Sequence, residues 1–231
     1  MAIAAAEKAT AQSGAKGSRP WAAALAALLR AYGAPRRADG RKKLDLVMLA
    51  VLAEERGERT ANRWLEEFSR RFVDWNEVRV ARLRDLAAAV PEVPAKRLGK
   101  LQALLQGMYE LIGGLDVNPL LAMKPSEARA WLVRLEALDR EEVEAVLMIA
   151  LGVPTLPAGE GLARVARRFG LVPRKATRVQ SQRLAAKGLA PECYREFYNL
   201  VGEHGASRCR EARPDCGRCG VRPLCRSRGR W

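Results

Sequence analysis

The stretch CREARPDCGRCGVRPLC, from Cys209 to Cys225, holds four of the five cysteines of the chain, spaced C-x6-C-x2-C-x5-C. Thiolates packed this densely form disulfides, bind a metal ion or bind an iron–sulfur cluster. Zinc ribbons usually have two C-x2-C pairs, and only one such pair is present. The spacing therefore favours a [4Fe–4S] cluster, with zinc and disulfides as alternatives. The predicted ligands are Cys209, Cys216, Cys219 and Cys225.

Disulfides are the least favoured alternative because the amino terminus does not look like a secretory signal. Lys8 interrupts the only apolar start, and no apolar h-region follows it. Residues 1–20 are rich in Ala, Gly, Ser and Lys without a period, which predicts a disordered tail. Apolar runs are far shorter than the roughly 20 residues that a membrane span needs. The expected location is the cytoplasm, on the nucleoid in a bacterium, with no membrane partner.

The charge of the chain favours a polyanionic partner. Lys and Arg number 41 against 26 Asp and Glu, a formal charge of +15 over 231 residues. Such an excess neutralises phosphates and releases their counterions. A basic surface with no partner, charged only by composition, is the alternative.

Helical periodicity predicts an all-α chain without internal repeats or alternating strand patterns. Hydrophobic residues make up 48% of the sequence, which is enough to form a core in one domain or in two small lobes. Aromatic residues make up only 6%, and the abundance of Ala, Leu, Arg and Glu is typical of a mostly helical chain. LDLVMLAVLA, from Leu44 to Ala53, is apolar nearly all round and predicts a buried helix. The predicted helices cover 21–32, 44–53, 59–72, 76–90, 98–112, a short stretch from 125, 135–151, 160–169, 174–187 and 191–202.

The end of the chain resembles a known family. Leu200-Val-Gly-Glu-His204-Gly205-Ala-Ser-Arg-Cys209, followed by the 6-2-5 spacing, resembles the carboxy-terminal iron–sulfur loop of the endonuclease III branch of the helix-hairpin-helix DNA glycosylases. The resemblance implies a two-lobed all-α fold and a monomer that binds damaged or distorted duplex DNA. One lobe would be a helical barrel at 44–153, which carries the hairpin. The cluster lobe would combine 21–43 with 154–231.

The resemblance also implies three elements of base-excision chemistry, and all three are replaced in this sequence. The family's glycine-flanked hairpin corresponds to residues 135–139, where Ala137 and Asp139 replace the glycines. The Schiff-base lysine position holds Glu141, and the aspartate position holds Gly159. We therefore expect the usual glycosylase and lyase chemistry to be lost or relocated.

The replaced hairpin suits an ordinary helix start. Asp139 and Glu142 have the D-x-x-E spacing of a capping box. The carboxylates of Glu141 and Glu142 are expected where a DNA phosphate would sit, and would repel it by about 1 kcal/mol per pair at surface-like dielectric.

A relocated carboxylate is the enzymatic alternative. Glu160 follows the aspartate position by one residue, so it is the candidate catalytic residue of a monofunctional glycosylase without Schiff-base lyase activity. The family's base-extruding loop reads EERGER from Glu54 to Arg59, which argues against the usual handling of a flipped base.

Arginines around the cysteine stretch are the candidate DNA contacts. By the resemblance, this loop presents basic residues to DNA, and Arg218 and Arg222 occupy comparable places, with Arg208 and Arg210 next. The resemblance gives His204, the only histidine, a structural role beside the cluster. Cys193 stands apart on a predicted helix as a buried thiol.

The leading hypothesis is a DNA-binding [4Fe–4S] protein of the endonuclease III-like superfamily without the usual base-excision chemistry. The second is the monofunctional glycosylase that acts through Glu160. The third treats the cluster as a redox or assembly element and the basic surface as a docking face for protein or RNA.

Overall fold

The computed structural model describes residues 18–35 and 41–228, and every regular element in those ranges is helical. The all-α prediction is therefore confirmed. Short 3-10 turns lie at Pro191–Cys193 and Arg222–Leu224. The α-helices are α1 Ser18–Tyr32, α2 Lys43–Ala53, α3 Glu58–Arg71, α4 Trp75–Val80, α5 Leu83–Ala89, α6 Ala95–Ile112, α7 Asn118–Ala122, α8 Pro125–Val133, α9 Arg140–Ile149, α10 Glu160–Phe169, α11 Arg178–Gly188 and α12 Tyr194–Ser207.

Residue contacts divide the chain into two compact units. Unit 1 comprises Met1–Arg37, Ala53–Arg59 and Pro154–Trp231, and unit 2 comprises Ala38–Leu52 and Thr60–Val153. The lobe boundaries drawn from the sequence stay a prediction. Of the predicted tail, residues 1–17 lie outside the described residues, and α1 begins at Ser18, before the predicted start at Trp21.

Unit 1 is built on the packing of α1, α10, α11 and α12. The Trp21 indole lies directly against Gly188, where a Cβ atom would collide with the ring. The same indole makes an edge-to-face contact with Phe197, with ring centroids 5.8 Å apart. Both aromatic side chains are buried, so they join α1 to α11 and α12 through the core.

In unit 2, α6 packs against α4 and α5, and α8 packs against α7 and α9. The apolar run of α2 is buried, as its sequence predicts, with Leu49, Val51 and Leu52 fully inaccessible to solvent. No helix in the described ranges is both long and apolar enough to span a bilayer.

The single helix predicted over 76–90 is wrong, because α4 ends at Val80 and α5 begins at Leu83. The Gln102 side-chain amide donates to the carbonyl oxygens of Ala81 at 2.7 Å and Val78 at 3.1 Å. A side chain from α6 thus satisfies carbonyl groups that the break leaves without helical partners. Periodicity within 76–90 gives no sign of this contact.

The last helix is also longer than predicted, since α12 passes Gly202 and ends at Ser207. A Cβ atom on Gly202 would lie 3.0 Å from the Gly57 nitrogen, and one on Gly205 would lie 3.1 Å from Arg164 Nη2. These glycines allow close packing inside a helix and do not end it. The helix predicted at 135–151 is shorter than expected and begins at Arg140.

Candidate iron–sulfur centre and nucleic-acid interface

The cysteine stretch forms an irregular loop that leaves the end of α12. Cys209 is buried, and Cys216, Cys219 and Cys225 are half-buried. All four are free thiols in the structure. Backbone bonds shape the loop: Cys209 N donates to the His204 carbonyl at 2.7 Å, and Cys225 N closes a 3-10 turn on the Arg222 carbonyl at 3.1 Å.

The four thiols are close enough to influence one another's ionisation. Burial raises the pKa of Cys219, a backbone hydrogen bond with Val221 lowers it, and the Cys209 and Cys216 thiols raise it again. Burial likewise raises the pKa of Cys225, a backbone bond with Ser227 lowers it, and the other three thiols of the loop raise it. Four thiolates gathered here therefore repel one another unless positive charge balances them.

The structure gives one limit on the spacing of the cysteine sulfur atoms. Among the described residues, no three of these cysteines bring their sulfur atoms within 4.8 Å of one another. Tetrahedral zinc with Zn–S bonds of about 2.3 Å would hold its sulfurs about 3.8 Å apart. In a four-iron cluster each thiolate binds a different iron, so the ligand sulfurs stand farther apart.

A buried arginine, Arg168 of α10, ties the two ends of the loop together. Its Nη1 donates to the Cys209 sulfur at 3.3 Å and to the Arg210 carbonyl at 2.7 Å, and its Nη2 donates to the Glu211 carbonyl at 2.9 Å. Its own carbonyl accepts from Cys225 Sγ at 3.4 Å and from Ser227 N at 3.1 Å. Arg168 is only 6% exposed. A desolvated cation at the Cys209 sulfur suits a negatively charged thiolate set.

Arg164, one turn earlier on α10, adds a bond from Nε to the Cys209 carbonyl at 3.1 Å. His204 lies behind the first cysteine, with Nδ1 in hydrogen-bond contact with the Tyr32 hydroxyl at 2.7 Å. Burial, followed by the charges of Arg168 and Arg164, lowers the pKa of His204 to about 4. The imidazole is therefore neutral at physiological pH and packs edge-on against Tyr32 and Phe169.

These observations test whether the residues fit a [4Fe–4S] cluster, and they do. The donor set is four thiols with no histidine between the first and the last cysteine, and a buried guanidinium touches one of the sulfur atoms. The ligand assignment itself stays a prediction.

The predicted DNA-contacting arginines differ in their availability. Arg210, Arg218 and Arg222 have exposed side chains. Arg208 is half-buried, and its Nη1 donates to Asp215 Oδ2 at 2.6 Å. Asp215 also accepts from the Arg218 backbone nitrogen at 3.3 Å, so it holds the loop without engaging the Arg218 guanidinium there.

The predicted capping box at the start of α9 is confirmed. Asp139 Oδ1 accepts from Glu142 N at 3.0 Å, and Glu142 Oε2 accepts from Asp139 N at 2.9 Å. The turn before it places Glu136 at φ +46°, a left-handed conformation that costs a non-glycine residue about 1 kcal/mol or more.

Glu142 does not face outward as the sequence led us to expect. Its side chain is fully buried, and Lys100 Nζ donates to its Oε2 at 2.7 Å, with Arg97 Nη1 3.8 Å from its Oε1. This corrects the expectation that Glu142 repels a phosphate, because its charge is enclosed and compensated. Glu141 remains a partly exposed carboxylate at the position where the resemblance implies a lysine.

Gly159 and Glu160 form the start of α10. Gly159 is the N-cap residue and has an ordinary extended backbone, with φ −71°. Glu160 forms an ion pair with Arg167 of the same helix, and its side chain is 41% exposed. Arg167 Nη1 also donates to the Ala176 carbonyl at 3.2 Å, which anchors the arginine. Glu160 as a catalytic group stays a hypothesis.

The loop between α2 and α3 is fastened within unit 1. Glu58 is 1% exposed and accepts from Arg195 Nε at 2.6 Å and from Asn199 Nδ2 at 2.6 Å. Gly57 adopts φ +79°, and a Cβ atom there would lie 2.7 Å from the Asn199 carbonyl oxygen. Part of the EERGER stretch thus has a structural role that sequence reasoning did not identify.

Arg168 and Lys100 are the other residues that sequence reasoning missed. One feature could have indicated Arg168: it follows Arg164 by four residues, on one face of a short helix that is otherwise apolar there. Nothing in the sequence around Lys100 relates it to Glu142, 42 residues later.

Comparison with known proteins identifies the fold. No family model matches the chain. The solved structure of a non-covalent endonuclease III–DNA complex superimposes on this chain with a TM-score of 0.65. The two sequences are 16% identical, and the superposition covers 92% of this chain and 97% of that chain. The chain has the endonuclease III-like DNA glycosylase fold. Endonuclease III of Sulfolobus acidocaldarius is 20% identical over 183 residues, which cover 78% of this chain and 80% of that protein.

A plant protein, the DNA glycosylase/AP lyase ROS1 of Arabidopsis thaliana, is also similar to this chain in sequence. It is 23% identical over 174 residues, which cover 67% of this chain but only 12% of ROS1. The superfamily resemblance drawn from the sequence is thereby confirmed. The divergence of this chain at the hairpin and at the catalytic positions stays a prediction.

Proposed function

We propose that this endonuclease III-like protein binds duplex DNA and a [4Fe–4S] cluster and lacks the usual glycosylase and AP-lyase chemistry. One observation carries the proposal: the hairpin position is an Asp139–Glu142 capping box, in which Glu142 is buried and paired with Lys100. A carboxylate at Glu141, where the family's lysine would be, cannot form a Schiff base with an abasic sugar.

The proposed cluster ligands are Cys209, Cys216, Cys219 and Cys225. A bound [4Fe–4S] cluster would supply a rigid cross-link for the loop and a redox-capable centre. The chain's own residues prepare this loop: Arg168 bonds the backbone near Cys209 and accepts from the residues around Cys225. That support holds the loop arginines on a fixed surface.

Arg210, Arg218 and Arg222 of this loop are the proposed phosphate contacts. Their exposed guanidinium groups suit a phosphate backbone, which they would bind without regard to base sequence. The net charge of +15 supports the same partner class. We propose damaged or distorted duplex DNA as that partner, a monomeric protein, and action in the cytoplasm, on the nucleoid of a bacterial cell.

The residues at the start of α10, Gly159 and Glu160, support the proposed loss of base excision. In acyl- and glycosyl-transfer chemistry, charge that develops in the transition state needs a fixed group of opposite charge. Gly159 has no side chain to supply that group. The next residue, Glu160, forms an ion pair with Arg167.

A monofunctional glycosylase is the second candidate, and the exposure of Glu160 favours it. With 41% of its side chain exposed at the first residue of α10, Glu160 would become available once it left Arg167. Base release that disappears in Glu160→Gln and persists in the control Glu192→Gln would promote this candidate. The third candidate, a redox module that docks protein or RNA, would show RNA or protein binding in place of duplex binding.

The test measures binding and cleavage together on intact, mismatched, oxidised and abasic duplexes, with protein purified without oxygen. Tight duplex binding with neither base release nor strand incision supports the proposal. Absence of duplex binding, or base release on any of these substrates, rejects it.

A further inference from the structure

Helix α11 and the segment before it carry an unusual charge pattern. Residues 161–191 contain no aspartate or glutamate, although the chain has 26 acidic residues in all. We propose that the part from Arg174 to Lys187 forms a second surface for the phosphate backbone of duplex DNA, separate from the cysteine loop. The proposal rests on the proposed function, since it adds a second contact to a protein that binds duplex DNA.

Five of the eight cations of this segment have exposed side chains, and the other three belong to α10 and bond within unit 1. The buried face of α11 consists of the small residues Ser181, Ala185 and Gly188. Opposite them, Val179, Arg183 and Lys187 follow one another at intervals of four residues and are exposed. Exposed basic side chains of the segment, here called the α11 surface, are Arg174, Lys175, Arg178, Arg183 and Lys187.

Helices α1 and α10, which pack against α11, do not neutralise this surface. Helix α1 carries Arg19 and Arg30 and no acidic residue. The single acidic residue of α10 is Glu160, which is already paired with Arg167 of its own helix. Like charges gathered in this way repel one another, and an external polyanion relieves the repulsion.

Spacing and composition favour nucleic acid over an acidic protein segment. With a rise of about 1.5 Å per residue, Arg183 and Lys187 on the exposed face are about 6 Å apart along the helix axis, a span over which duplex DNA presents more than one phosphate. Five cations accompany only two partly exposed apolar side chains, Val179 at 45% and Leu184 at 39%. The centre of a protein–protein interface is, in contrast, apolar and depleted of charge.

The test compares two triple variants of the full-length protein. Arg178→Gln/Arg183→Gln/Lys187→Gln removes three charges from the α11 surface. The control, Lys43→Gln/Arg63→Gln/Arg71→Gln, removes two arginines and one lysine from exposed positions of unit 2, where α3 also carries Glu66 and Glu67. A second test variant, Arg174→Gln/Lys175→Gln, changes only the segment before the helix.

Binding of a 30-base-pair duplex is measured from 50 to 200 mM salt. The α11 triple variant is expected to bind at least about tenfold more weakly at 50 mM salt. The slope of log K against log salt should fall in magnitude by up to about 2.7, or about 0.9 for each neutralised phosphate. The control should stay within about twofold of the wild type in affinity. Helicity and iron content, measured on each sample, confirm that the variants are folded.

Two failures are distinguishable. If the wild type does not bind duplex DNA, the proposed function itself fails. If the wild type binds and both α11 variants match the control, only the second surface is rejected. If the α11 variants lose binding to polyglutamate but keep the wild-type affinity for DNA, the second DNA surface is also rejected. That result would identify an acidic protein segment as the partner.

Discussion

Arg168 Nη1 donates a hydrogen bond to Cys209 Sγ at 3.3 Å, from a side chain that is only 6% exposed. The same guanidinium bonds the carbonyls of Arg210 and Glu211, and the Arg168 carbonyl accepts from Ser227 N. One residue of α10 therefore fixes both the first and the last part of the cysteine loop. Removal of the Arg168 side chain should therefore lower the iron and sulfide content of the protein more than it lowers the affinity for DNA.

The first prediction concerns Arg168→Met, which keeps the length of the side chain and removes its charge and donors. Protein purified without oxygen should retain less than half of the wild-type iron and sulfide and lose visible absorbance faster in air. The control is Arg167→Met, the adjacent residue, whose partners are Glu160 and the Ala176 carbonyl. Equal iron retention in both variants would contradict the role given to Arg168.

The second prediction concerns the cofactor itself. Anaerobically purified protein should be brown, with about four iron and four labile sulfide per chain. Cys216→Ser and Cys219→Ser should lose most of this iron, whereas Cys193→Ala, which changes the buried thiol outside the loop, should keep it. Colourless protein that holds one zinc and no sulfide would reject the cluster.

The third prediction separates the loop arginines by their surroundings. Arg218→Ala and Arg222→Ala should each lower the magnitude of the salt slope for duplex binding by about 0.9 and weaken binding similarly across sequences. Arg208→Ala should change the slope less, because its guanidinium is paired with Asp215 at 2.6 Å. A larger effect from Arg208 than from Arg218 would show that DNA contacts a different face of the loop.

The fourth prediction concerns the buried pair at the hairpin position. Lys100→Met leaves Glu142 buried without its nearest cation. We expect a loss of about 2 kcal/mol in the free energy of unfolding, less than the roughly 3–5 kcal/mol of fully buried pairs because the Lys100 side chain is 24% exposed. Adding Glu142→Gln should recover most of the loss, since glutamine removes the charge and keeps the capping bonds.

Urea unfolding of the two single variants, the double variant and the wild type gives the coupling energy. Additive single effects, with no recovery in the double variant, would mean that the 2.7 Å contact contributes nothing specific. The matched control is Arg129→Met with Glu144→Gln, a more exposed pair at 2.8 Å. That pair should couple by less than about 1 kcal/mol.

Local patterns in the sequence were sufficient for several features. The D-x-x-E spacing at Asp139 predicts a capping box that the structure contains, because both bonds of the box lie within four residues. The apolar run from Leu44 to Ala53 also predicts a buried helix correctly. A helix that is apolar on every face is buried whichever elements pack against it.

Features that depend on distant contacts could not be predicted in this way. The break between Val80 and Leu83 is satisfied by Gln102, and the burial of Glu142 depends on Lys100. A carboxylate on a helix start gives the same sequence pattern whether it faces solvent or an interior lysine. Only the tertiary packing decides which, and here it reverses the expected role of Glu142 at the hairpin position.

The central claim is that the fold has kept DNA binding and lost strand-cleaving chemistry. Borohydride trapping on a duplex with one abasic site tests it most directly, on cluster-loaded protein shown to bind that duplex in the same buffer. The account predicts a bound complex, no covalent adduct and an intact abasic strand. A covalent adduct that maps to any lysine of the chain, together with strand incision, would contradict it.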